Sequence, residues 1–172
     1  MSRTAKPPLT WDDVKNIQWK APMVGRGGST PIIWEDRVFL LTAINTGIVD
    51  PTLPKPEDQP KRVFGITFPN TEYQFVVLCL DRMTGKELWR QPRDEPTSWS
   101  TPIIVEHGGK PQVIISATNA VRGYDLATGK VLWHIGGLPH NVVASPVHAN
   151  DIVYAGASYE KRTMHAINLS GA

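Results

Sequence analysis

The stretch Cys79-Leu80-Asp81-Arg82-Met83-Thr84-Gly85-Lys86-Glu87-Leu88-Trp89 returns as Gly123-Tyr124-Asp125-Leu126-Ala127-Thr128-Gly129-Lys130-Val131-Leu132-Trp133. Both copies read small-x-Asp-x-x-Thr-Gly-Lys-x-Leu-Trp, and Trp89 and Trp133 stand 44 residues apart. A third copy opens at Ala166-Ile167-Asn168, and the chain ends inside it at Ala172. A fixed period of this size restricts a chain to repeat architectures, in which each unit buries its apolar face against the next.

A second shared element divides the chain into units. Ser29-Thr30-Pro31-Ile32-Ile33, Ser100-Thr101-Pro102-Ile103-Ile104 and Ala144-Ser145-Pro146-Val147 each begin an apolar run. Pro102 and Pro146 are again 44 apart, whereas Pro31 and Pro102 are 71 apart, so the first unit carries 27 extra residues. Each run reaches a turn (Glu35-Asp36, Gly108-Gly109-Lys110, Asn150-Asp151), and a second run follows at Arg37–Thr42, Gln112–Ala117 and Ile152–Gly156. A third strand then enters the Asp-Thr-Gly motif and a fourth leaves it through Leu-Trp. Four short strands in about 44 residues is the pattern of a propeller blade. Composition agrees, since 15 Pro and 14 Gly punctuate short β-branched runs, which predicts an all-β fold.

The motif explains its own residue types. Asp81 and Asp125 can accept hydrogen bonds from backbone amides two or three residues on, and Thr84 and Thr128 can add a hydroxyl bond in the same turn. Gly85 and Gly129 supply the positive φ of a hairpin turn. The outgoing strands place Trp89 and Trp133 opposite the small residues Cys79 and Gly123, where an indole can lie flat. These residues are thereby assigned to turns and to packing between blades, and they leave the set of active-site candidates.

Small-x-Asp-x-x-Thr-Gly-x-x-x-Trp resembles the tryptophan-docking motif of the pyrroloquinoline-quinone-like (PQQ-like) β-propeller repeat family. That family includes quinoprotein dehydrogenases, an outer-membrane barrel-assembly lipoprotein propeller and secreted bacterial propellers. The resemblance runs from Ile17 to Ala172, and the opening Ile17-Gln18-Trp19-Lys20 with Gly25-Arg26-Gly27-Gly28-Ser29-Thr30-Pro31 is similar to a first blade. A WD40 reading fails for want of Gly-His and Trp-Asp pairs at matching positions, and kelch for want of paired glycines at a period of about 50 residues. The expected organisation is an N-terminal extension over 1–16 and a partial propeller over 17–172, with blades at 29–90 (insertion 45–70), 100–133 and 144–172. The resemblance implies about three four-stranded blades of an incomplete seven- or eight-bladed ring, from a truncated or split gene product or from a chain that completes its ring by self-association.

In an up-and-down blade, successive loops alternate between the two faces of the disc. One face therefore collects Gly25–Gly28 with Arg26, the links Gln91–Trp99 and Gly136–Asn141, and the insertion 45–70. Candidate binding residues on it are Arg26, Trp99, His140 and Asn141. The bland readings are a backbone-bonded loop arginine and a loop histidine following Pro139. The insertion is rich in Pro (Pro51, Pro54, Pro56, Pro60, Pro69) among Lys55, Glu57, Asp58, Lys61 and Arg62. Such a segment is either disordered or simply packed, or it is a lid for a partner or ligand.

Catalytic and metal constellations are missing from the sequence. His107, His134, His140, His148 and His165 have no zinc-ligand spacing, and no calcium loop, nucleophile elbow or phosphate loop occurs. Asp36, Asp81, Asp125 and Asp151 have turn explanations, and Asp12-Asp13 precedes the first strand. A quinoprotein dehydrogenase, by resemblance, needs calcium or a lanthanide, an aspartate base, a tryptophan floor and in many members a disulfide between adjacent cysteines, whereas this chain has the single Cys79. The expected function is thus a non-catalytic scaffold binding a protein or small ligand at one loop face. The alternative is a fragment of a PQQ-dependent oxidoreductase whose cofactor and calcium ligands lie in other blades. The expected partner is a protein, or a second copy completing the ring. With net charge +2 and no basic stripe, neither nucleic acid nor a membrane surface is implied. No stretch approaches the roughly 20 apolar residues of a membrane span. The resemblance suggests a periplasmic or secreted location, yet Met1–Pro8 has no apolar signal-peptide core.

Overall fold

A computed structural model describes residues 6–12, 14–27, 29–60, 65, 67–159 and 161–171. Residues 1–5, Asp13, Gly28, Lys61, Arg62 and Ala172, which enter the sequence reading, lie outside them. Among the described residues eleven strands follow in order: β1 (Ile32–Trp34), β2 (Arg37–Val49), β3 (Thr71–Asp81), β4 (Glu87–Arg93), β5 (Ile103–His107), β6 (Lys110–Ile115), β7 (Ala120–Asp125), β8 (Val131–Gly136), β9 (Val147–Ala149), β10 (Ile152–Ala157) and β11 (Thr163–Asn168). They form three antiparallel up-and-down sheets, β1–β4, β5–β8 and β9–β11. The third sheet has three strands instead of four. After Asn168 the chain turns into a short 3-10 segment, Leu169–Gly171.

Each innermost hairpin closes through two residues: Glu35-Asp36, Gly108-Gly109 and Asn150-Asp151. The outer hairpins close on the Asp-Thr-Gly motif. Asp81 Oδ1 accepts from the Thr84 amide (2.7 Å) and hydroxyl (2.7 Å), and Asp125 Oδ1 does the same for Thr128 (2.8 and 2.6 Å). Gly129 holds φ +73°, a backbone state that costs an L side chain. Leaving the turn, Glu87 faces Leu80 and Trp89 faces Cys79, so Leu88 is an unpaired bulge. Leu132 is its counterpart between Val131 and Trp133. A bulge re-aims the strand beyond it, and here it sets each indole opposite the small residue.

Two apolar cores lie between the sheets. Phe39, Leu41, Val77 and Cys79 of the first sheet meet Val113, Ile115 and Tyr124 of the second, with Leu126 from its outer turn. Val105, Ile114 and Val121 of the second meet Val153, Ala155 and Ile167 of the third. Strand alternation places both sets on facing sides. Equivalent positions also touch along the repeat. The Thr30 amide donates to Thr101 Oγ1 (3.4 Å), and the Thr101 amide donates to Ser145 Oγ (3.0 Å). These hydroxyls all precede the proline that opens an innermost strand.

The segment before β1 lies against the first sheet. Trp19 Nε1 donates to the Arg82 carbonyl (2.8 Å), with its ring over Gly85. Trp89 Nε1 repeats this at the Leu126 carbonyl (3.2 Å), with its ring over Gly129. Trp133 differs: its Nε1 donates to Gln112 Oε1 (2.7 Å) and its ring lies on Gly123 of its own sheet. The third motif places Leu169-Ser170-Gly171 in a 3-10 turn, where the first two motifs have the residues leading to Thr-Gly.

Residues 45–49 continue β2 as an overhanging ribbon, with Asn45 opposite Tyr73 and Val49 opposite Thr71. The connection 50–70 is closed at its neck by the Asp50 amide donating to the Asn70 carbonyl (2.8 Å). Gln59 cinches it, donating to the Pro54 and Phe68 carbonyls (3.0 and 2.7 Å) and accepting from the Phe68 amide (2.8 Å). No helix among the described residues is long and apolar enough to cross a membrane.

Candidate functional site

Of the four candidate residues, Trp99 and Asn141 line one cavity of about 1220 Å³, and Arg26 and His140 do not. The Trp99 amide donates to the Val142 carbonyl (3.0 Å), which ties the β4–β5 link to the β8–β9 link. Asn141 holds φ +58°, a conformation asparagine tolerates better than most residues. Together they form one wall. Val147, Tyr154, Gly156 and Met164 of the third sheet form the floor, and Ser158, Tyr159 and Arg162 from the β10–β11 connection form the opposite rim.

This floor is the side of the third sheet turned away from the inter-sheet core. In β10, Val153 and Ala155 point into the core while Tyr154 and Gly156 alternate toward the cavity. The lining is mostly apolar and open: Met164 is 74% exposed, Tyr159 70%, Val143 66% and Trp99 61%. Among the described residues, Arg162 is the one ionisable lining group besides the two tyrosines. The chemistry the described residues offer is apolar contact, aromatic stacking and a few hydroxyl, amide and guanidinium hydrogen bonds.

Arg26 stands elsewhere. It bridges Ala43 through two backbone bonds (2.8 and 2.7 Å) and continues the sheet edge beyond β2, with its side chain exposed. His140 is exposed beside Asn141. Sequence reasoning missed the floor residues, because alternation in β10 and β11 does not say which side a neighbouring sheet covers. It also missed His107, whose Nδ1 lies 3.1 Å from Asp151 Oδ1 across two inner hairpins.

The residues present do not fit a calcium-bound quinone. No group of three His, Cys, Asp or Glu side chains among the described residues could hold a metal ion. Asp81 and Asp125 spend a carboxylate oxygen on the Thr amide and hydroxyl of their own turns, bonds that hold both acids below the usual aspartate range. Burial pushes the Cys79 thiol up to about 11, which disfavours the thiolate that a metal or disulfide chemistry requires.

The family described as outer membrane protein assembly factor BamB, PQQ_2, matches residues 73–172. The chain belongs to this family. Among solved structures, BamB from Moraxella catarrhalis superposes with a TM-score of 0.60 at 14% identity, covering 90% of this chain. The chain spans 40% of that structure's length. At this identity the likeness concerns the fold: an all-β, BamB-like propeller arc of three antiparallel sheets. No curated protein matches the chain in sequence.

Proposed function

We propose that this BamB-like arc is a non-catalytic scaffold that binds a polypeptide in the groove on the third sheet. The carrying observation is the exposed apolar lining of Trp99, Val143, Val147, Tyr159 and Met164 in one concavity. Soluble proteins seldom leave large contiguous apolar patches without a partner, and aromatic side chains with methionine and arginine are the groups enriched at protein interfaces. Trp docking between blades is part of the same reading: it commits the motif residues to architecture and leaves recognition to the loop ends. The matched family's described role, outer membrane protein assembly, is also one that proceeds through contacts between proteins.

A second copy of the chain is the first occupant to test. A photo-crosslinking residue placed at Tyr159, on the groove rim, is expected to give protein adducts that the same residue at Glu106 on β5 does not. Light scattering then separates the sources, a second copy giving a mass above 19.1 kDa. Met164→Lys with Val147→Lys should abolish both signals while the circular dichroism stays unchanged. Equal adducts from Tyr159 and Glu106, or adducts that survive the double substitution, would overturn the proposal.

A further inference from the structure

A second polar feature lies at the seam between the first two sheets, apart from the groove. Arg93, the last residue of β4, is 3% exposed, and all three of its guanidinium nitrogens are buried without a hydrogen-bond partner. Around it stand Tyr124, Glu95 and Arg122, the charged and titratable groups it senses electrostatically. Glu95, itself buried, is already committed: Oε1 takes the Arg122 guanidinium and Oε2 accepts from the Asn119 amide (2.8 Å). Asp94 is exposed and gives its carbonyl to Asn119 Nδ2 (2.9 Å) and Arg122 (3.5 Å). The Tyr124 hydroxyl is buried with no acceptor for its proton.

The balance of this seam is lopsided. Two guanidiniums share the one buried carboxylate, Glu95, while the Asp94 carboxylate is exposed at the cavity, and arginine keeps its charge in proteins. The Arg93 N–H fork can only donate, and the Tyr124 hydroxyl, which can donate or accept, also has no partner. A missing acceptor at a buried guanidinium calls for an anionic group, and the planar fork matches a carboxylate. Orphaned buried polar groups of this kind are where an ion or ligand completes a structure. Beside the seam is a cavity of about 420 Å³ lined by Tyr73, Gln74, Pro92, Arg93, Asp94 and Glu95. That volume lies in the range of small-molecule sites and exceeds what a bare halide fills.

We propose that the seam between the first two sheets binds a small organic carboxylate, its carboxyl group taking the Arg93 fork and the Tyr124 hydroxyl and its remainder lying in the adjoining cavity. Such a ligand bridges the sheets, because Arg93 ends the first and Tyr124 belongs to the second.

Saturation-transfer NMR on the full chain with propionate tests this. Wild type is expected to transfer saturation to the propionate methylene, saturably and undiminished by an equal concentration of chloride. Arg93→Gln should lose the signal, and Tyr124→Phe, which keeps the ring and removes only the hydroxyl, should weaken the affinity several-fold. No transfer to wild type, displacement by chloride, or an undiminished signal in folded Arg93→Gln would overturn the proposal. Should Arg93→Gln fail to fold, an affinity unchanged in Tyr124→Phe would overturn it equally.

Discussion

The indole of Trp89 shows how much one side chain does in this molecule. It stands opposite Cys79 in its own sheet and crosses to the neighbouring sheet, donating to the Leu126 carbonyl. A Cβ added at Gly129 would stand 2.6 Å from Trp89 Cε3. Trp89→Ala is expected to cost about 3–5 kcal/mol, typical of a large aromatic removed from a packed site. Denaturant unfolding measures this, and a loss below about 1 kcal/mol contradicts the packing role. Cys79, beneath the same indole, has a thiol pushed to about 11 by burial, opposed in part by Arg37. A thiol-modifying reagent at pH 8 should therefore react only at the rate of unfolding. The linkage has a definite sign: the unfolded thiol ionises near about 8.5, so stability is unaffected below that pH and declines as pH rises toward about 11. At this scale the sequence was legible where size and turn chemistry decide, as in Trp against Cys or Gly and Asp with Thr. Arg93 was not legible, because its burial depends on a second sheet closing over the end of β4.

The outer hairpin is the element whose chemistry repeats. The Asp125 carboxyl is held below its usual range by the Thr128 hydroxyl and then, against some burial, by backbone amides and Arg37. Because the folded pKa is depressed, this stabilisation is present above the unfolded value of about 3.9 and is lost as pH falls through the folded one. Asp125→Ala should lower stability by about 1.5–3 kcal/mol at pH 7, the worth of hydrogen bonds to a charged group. The deficit should shrink as both proteins are taken below pH 4 in chemical denaturation. A deficit independent of pH would assign the effect to packing instead. Hairpin positions could be read from the motif because a tight turn admits few residue types. The bulges at Leu88 and Leu132 could not, since leucine has no bulge preference and only its recurrence two places after Lys86 and Lys130 marked it. Nor could the length of β2, whose residues Asn45–Val49 owe their extended shape to pairing with Thr71–Tyr73 and not to their own composition.

The whole molecule is an arc whose two ends differ. At the start, Trp19 packs on Gly85, the Val24 carbonyl accepts from Thr42 Oγ1 (2.8 Å) and Arg26 pairs with Ala43, so the first sheet is covered. At the other end the third sheet presents Tyr154, Val147 and Met164 to the groove. The 44-residue spacing made the repeat legible, because equivalent residues such as Thr101 and Ser145 meet just ahead of successive sheets. It could not show which sheet face stays open, a property of neighbours and not of period. The same regularity bears on the choice between scaffold and oxidoreductase. Each aspartate of the repeat motif gives one carboxylate oxygen to its own turn, and the single cysteine is sealed beneath an indole. Titration with pyrroloquinoline quinone and calcium is therefore expected to give no saturable spectral change and no dye reduction. A saturable change that Trp99→Ala abolishes would place a cofactor in the groove and reverse the assignment of Trp99 from protein contact to ring stacking.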